Sequence, residues 1–168
     1  MALNAQIMLS ILAHETSYGD LSRTLRATPA SYDLALTDGT GASQAQVVWS
    51  DSRTATTSND DLPLKTLPDT RDGAAVTVAF TNIKIVYVKN TSESETLKVG
   101  GITGYTAFQG LPTNVPLQIA PGGCYFFSSP GADGPSAGTS PIENLARFAS
   151  VSGSCTYDIV FIGEGTVT

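Results

Sequence analysis

Hydrophobic and polar residues alternate with a period of two almost wherever a period is readable in this chain. From residue 3 to 11, Leu3, Ala5, Ile7, Leu9 and Ile11 share one face, and Asn4, Gln6, Met8 and Ser10 share the other. Side chains two apart line one face of a strand, so the stretch reads as an extended arm, with a short helix as the alternative. Tyr32, Leu34 and Leu36 alternate ahead of Asp38-Gly39, a strong turn signal. Val47 and Trp49 follow, and then a Ser/Thr-rich stretch from Ser50 to Ser58.

The middle of the chain is clearer. Val76, Val78 and Phe80 alternate with Thr77, Ala79 and Thr81 as in a half-buried strand. Directly after it, NIKIVYVK (82–89) sets Ile83, Ile85 and Tyr87 against Lys84, Val86 and Val88, with the β-branched and aromatic content that suits a pleated surface. Whichever of these faces turns outward carries apolar residues that need cover from another layer or another subunit. A polar turn at 90–95 precedes a further strand at Thr96–Val99.

Glycine and proline punctuate the second half at Gly100-Gly101, Gly110, Pro112, Pro116 and Pro121-Gly122-Gly123. Short strands fit between them at Tyr105–Phe108, Val115–Ile119 and Cys124–Ser128. SPGADGPSAGTSP (129–141) reads as a loop by composition. Residues 142–151 fit a turn of helix running into a strand, and the last strand spans Thr156–Ile162. About eight to ten short strands with regular turn signals predict an all-β, single-domain β-sandwich or jelly roll. Residues 1–30 would form an N-terminal arm or first strand, and residues 31–168 the β domain.

Composition narrows the function. The chain has 168 residues, a net charge of -6 and only 14% charged residues, against roughly 25% in an ordinary soluble domain. An acidic chain lacks the basic face that binding nucleic acid requires. The first 17 residues have no Lys or Arg ahead of their apolar stretch, and Asn4, Gln6 and Ser10 interrupt it. They read as neither a signal peptide nor a membrane span, so no membrane partner is expected.

Candidate chemistry is sparse. His14 is the one histidine and sits in no nucleophile motif, so it reads as a surface or rim residue. Cys124 and Cys155 open the apolar runs CYFF and CTYDIVFI and read as buried free thiols, with a disulfide possible if their strands are neighbours. Asp60 and Asp61 are adjacent, so in a strand they point to opposite faces and do not converge as a glycosidase pair would. Glu93 and Glu95 resemble a solvated edge, and Trp49 is the one tryptophan available for sugar stacking. Asp38-Gly39-Thr40-Gly41 lacks the ligand spacing of a calcium loop and the Lys of a phosphate loop, and reads as a tight turn. No enzyme, cofactor or metal site is expected.

The stretch from Leu36 to Leu64 resembles a pattern in tailed-phage and prophage virion proteins. Its pieces are Asp38-Gly39-Thr40-Gly41, Gln44–Gln46, Trp49, Asp51-Ser52-Arg53-Thr54 and Asn59–Leu64. The resemblance continues through VAFTNIKIVYV (78–88), the turns at Val99-Gly100-Gly101 and Pro121-Gly122-Gly123, and YDIVFIG (157–163). It covers most of the chain after residue 34; the first 33 residues and the loop at 129–141 depart from it.

That resemblance implies a small β-sandwich virion protein, most like capsid decoration (cement) subunits. The implied partners are the major capsid protein and copies of the chain itself, as a dimer or trimer. The implied place is the outer surface of the capsid, after synthesis in the host cytoplasm. A jelly-roll receptor- or carbohydrate-binding piece of a tail or fibre is the alternative. Leu3, Ile7, Leu9 and Ile11 are candidate contacts of an arm that adds a strand to a neighbour; an ordinary first strand of the same domain is the competing reading. Arg53, in WSDSRT, is a candidate either for pinning a loop by ion pairing or for a subunit interface.

Overall fold

The computed structural model describes residues 3–11, 14–17, 23–26, 30–101, 110–132, 134–138 and 144–168, with residues 11–30 described through backbone pairing alone. Every regular element among them is a strand: β1 (Ala5–Ile11), β2 (His14–Ser17), β3 (Arg23–Arg26), β4 (Ala30–Asp38), β5 (Gln44–Ala45), β6 (Val47–Ala55), β7 (Asp60–Pro63), β8 (Leu67–Arg71), β9 (Ala74–Asn90), β10 (Leu97–Val99), β11 (Leu117–Ile119), β12 (Cys124–Ser128), β13 (Leu145–Ser150) and β14 (Cys155–Val167). The turn of helix expected ahead of the strand at 145–150 is not found among the described residues. The strand expected at Tyr105–Phe108 lies outside them.

Two larger sheets enclose one apolar core. The first runs β12-β9-β14-β6, with β8 paired to β9, and the second runs β11-β10-β13-β7. Trp49, Phe80, Val86, Val88, Tyr157 and Phe161 of the first sheet share this core with Leu97, Val99, Ala146 and Phe148 of the second. Phe148 stacks on Tyr157 with ring centroids 4.8 Å apart, and Trp49 stacks on Phe161 at 5.8 Å. Each large apolar side chain removed from water contributes about 1.5–3 kcal/mol before its ordering entropy is counted.

The stretch Ser50–Ala55 belongs to β6, although its hydroxyl content hides the strand. Its odd-numbered residues face inward, and Ser50, Ser52 and Thr54 face out, where threonine and serine are tolerated. Between β8 and β9, Asp72 and Gly73 both have positive φ (51° and 79°), the two-residue hairpin that an Asp-Gly pair favours.

The N-terminal strand folds back on its own chain. β1 pairs antiparallel with β4 from Ala5↔Leu36 to Ile11↔Ala30, and β2 pairs with β3. Leu3, Ala5, Ile7, Leu34 and Leu36 then lie on the outer face of the first sheet, against Ile85, Phe126, Val160 and Ile162. The first sheet therefore has cover on both faces. The Asp38-Gly39 region is not a tight hairpin: β5 returns parallel to β4, through Thr37↔Gln44 and Asp38↔Ala45.

Strict alternation fails at two places in β9, one of them where the ladder to β14 shifts between Glu164↔Asn82 and Gly165↔Phe80 and leaves Thr81 as an extra residue. At the other, the ladder shifts register between Ile162↔Ile85 and Gly163↔Ile83, leaving Lys84 as the extra residue of a β-bulge. Ile83, Val86 and Val88 consequently face the main core, while Ile85 joins the outer cluster. The expected grouping of Ile83 with Ile85 is thus wrong, because one extra residue moves every later side chain to the other face. Gly163 is obligatory at this crossing, since a Cβ there would overlap the carbonyl of Asn82.

Candidate functional site

Three groups of polar side chains among the described residues bear on the candidate chemistry, and each is tied to the fold. The first closes the edge of the two-sheet core. Arg53 on β6 sits opposite Tyr157 on β14, and Asp60 stands on β7 of the other sheet. Arg53 donates from Nε and Nη2 to the two Asp60 oxygens, at 2.9 Å each, and from Nη1 to Asp51 at 3.0 Å. The Tyr157 hydroxyl donates to Asp60 Oδ2 at 2.7 Å. A bidentate fork of this kind fixes both position and orientation.

The charges respond to this setting. Hydrogen bonding to Asp60 raises the Arg53 pKa, against the cost of burial. Burial alone would raise Asp60, but its bonds from Arg53 and Tyr157 outweigh that and hold it below the usual carboxylate range. Burial, followed by the hydrogen bond to Asp60 and that carboxylate's charge, pushes the Tyr157 phenol well above its ordinary value. Arg53 thus joins the two sheets as an ion-paired clamp.

Asp61, the neighbour of Asp60, belongs to a different pair. It accepts from Arg147 Nε and Nη2 on β13, at 2.7 Å each, on the outer side of the second sheet. The two adjacent carboxylates therefore diverge, each neutralised by its own arginine. Glu95 accepts from the Ser152 hydroxyl at 2.7 Å, at the surface.

The third group surrounds the bulge at Lys84. Lys84 is fully buried, and its Nζ donates to the Gly41 carbonyl at 2.7 Å. The same Nζ lies 2.9 Å from Glu164 Oε1, an ion pair that is off the line of a well-directed hydrogen bond. Asn82 donates from Nδ2 to Glu164 Oε2 at 3.0 Å. This network holds the loop after β4 onto the first sheet, helped by Ser43 N–H donating to the Pro130 carbonyl. A lysine inside the apolar run NIKIVYVK and a glutamate between two glycines were the available signals, and alternation alone assigned neither a partner.

Leu3 and Ile7 are half-buried against the outer cluster, and Leu9 is 46% exposed where the hairpin leaves the sheet. The side chains of Ile11 and His14 lie outside the described residues. A groove of about 280 Å³ opens beneath this end of β1, lined by Ile7, Leu9, Tyr87, Cys124, Phe126 and Val160 among others. Cys124 is exposed there, which corrects the expectation that both cysteines are buried: it stands on the free edge strand β12. Cys155 is buried, and burial raises its thiol pKa. Both thiols are free. Among the described residues no three His, Cys, Asp or Glu side chains group as metal ligands, and no helix is long and apolar enough to cross a membrane.

No family model matches the chain, and neither does any curated protein or solved structure.

Proposed function

We propose that this chain is a structural protein of a tailed-phage virion, a capsid-decoration (cement) subunit that binds the lattice of the major capsid protein and copies of itself. The observation that carries the reading is the strand order. Setting aside β1–β5 and β8, which pairs beside the first residues of β9, eight strands from β6 to β14 remain. In chain order, one sheet runs sixth, third, eighth, first, and the other runs fifth, fourth, seventh, second. We read that order as two interleaved Greek keys, the jelly-roll arrangement that virion and lectin domains use.

Fold alone does not fix function. The reading also rests on the resemblance of residues 36–64, 78–88, 99–101, 121–123 and 157–163 to virion proteins, and on how the polar groups are used. Arg53, Asp60, Asp61, Arg147, Lys84 and Glu164 are engaged with one another. That arrangement suits a rigid scaffold acting through its surface. Modest contacts repeated over a lattice become strong through effective concentration.

The test is co-sedimentation of the purified chain with DNA-free capsids built from the same phage's major capsid protein. Saturation at a fixed ratio to that protein is expected. A chain that stays in the supernatant yet binds host cells or a glycan array belongs to a tail or fibre instead.

A further inference from the structure

Lys84, Glu164 and Asn82 bring an amine, a carboxyl group and a carboxamide together around the bulge in β9. Lys84 is fully buried and Glu164 nearly so, in a place roofed by the Gly41 loop and the segment around Gly134. Asn82 lies opposite Glu164 in the ladder, and Lys84, the bulge residue, reaches the same carboxyl group. One carboxyl group therefore touches an amine through Oε1 and a carboxamide nitrogen through Oε2.

We infer that these three residues form an intramolecular amide cross-link, with Lys84 Nζ joined to Asn82 Cγ and Glu164 relaying the protons. Only the neutral amine is a nucleophile. In the proposed step Glu164, 2.9 Å away, takes one proton from Nζ. The Nζ lone pair then forms a bond to Cγ. The Cγ–Nδ2 bond breaks, and its electron pair leaves with Nδ2. Glu164 passes the two protons that Lys84 loses to Nδ2, which departs as ammonium, and the carboxylate is restored. No oxidant, reductant or further reactant is needed. The geometry suits the relay, because Oε1 faces the attacking nitrogen and Oε2 the departing one. The inference stands on this cluster and is independent of the coat role.

The experiment is mass spectrometry of the full purified chain, intact and after denaturation and trypsin digestion. The expected product is lighter than its sequence by about 17 Da, the ammonia released. Trypsin is expected to skip Lys84 and leave one peptide that spans residues 82–85 and carries the deficit. Glu164→Gln is expected to restore the full mass and cleavage after Lys84. A wild-type chain of full mass overturns the inference. So does a deficit with cleavage after Lys84 intact, the mark of a succinimide at Asn82. A Glu164→Gln chain that still carries the cross-link overturns the relay.

Discussion

Asp60 accepts both prongs of the Arg53 guanidinium across the gap between two sheets, while Asp61, next in the chain, accepts the prongs of Arg147 on the outer surface. The two pairs differ in what surrounds them. Asp60 also takes the Tyr157 hydroxyl, and its side chain is 19% exposed. Asp60→Ala leaves the Tyr157 phenol unpaired and Arg53 with Asp51 alone at the core edge, so a loss of about 2–3 kcal/mol is expected, below the full cost for a completely buried pair. Asp61→Ala removes a surface pair and is expected to cost about 0.5 kcal/mol. Urea denaturation of the two variants checks the contrast; equal losses would mean that Arg53 does not clamp the sheets.

The same cluster sets the pH range of stability. Asp60 is depressed in the folded chain, so its contribution is present above the unfolded carboxylate pKa and is lost as pH falls through the folded value. Tyr157 is raised, so its contribution is complete below the unfolded phenol pKa of about 10 and is lost as pH rises beyond it. Thermal melts across pH are expected to show an acid loss below about pH 4 and an alkaline loss above about pH 10. Tyr157→Phe should lower stability at neutral pH by about 1 kcal/mol and weaken the alkaline loss. An unchanged alkaline limb in that variant would assign it to another group.

Much of the strand pattern was readable because period two is a local property. Tyr32–Leu36, Val76–Phe80 and Cys124–Ser128 all fall within strands. The divergence of Asp60 and Asp61 was readable for the same reason. What escaped was non-local. Lys84 and Glu164 are 80 positions apart, and their pairing depends on a bulge that one chain's alternation does not announce. Arg53 stood out beside Asp51, but its main partner came from the opposite sheet, which requires the strand order.

The two thiols should differ sharply. Cys124 is exposed on an edge strand, whereas Cys155 is buried and its Sγ donates to Asn90 Oδ1 at 3.2 Å. The thiolate is the reactive form, and burial disfavours it. Titration of the native chain with a thiol-reactive dye is expected to label Cys124 quickly and Cys155 only in denaturant. Rapid labelling of both would mean that the region around Asn90 opens readily.

The first strand is the hardest element to test, because it has two uses. Removing residues 2–13 would strip β4 of its partner and uncover Leu36, Ile85 and Ile162, all nearly inaccessible in the folded chain. At about 1.5–3 kcal/mol for each large apolar side chain, that loss approaches the whole stability of a small domain, about 5–15 kcal/mol. The truncated chain is therefore expected to bind a hydrophobic dye and to lose its cooperative melt, so its failure on capsids would report unfolding. Point changes separate the two uses. Ile7→Ala should cost about 1–2 kcal/mol, because Ile7 is half-buried against the outer cluster. Met8 is 75% exposed on the opposite face, so Met8→Ser should stay within about 0.5 kcal/mol of the parent. If Met8→Ser weakens capsid co-sedimentation while the melt is unchanged, β1 contacts the lattice through its outer face. If Ile7→Ala proves neutral in the melt, the hairpin is not packed on the sheet as described.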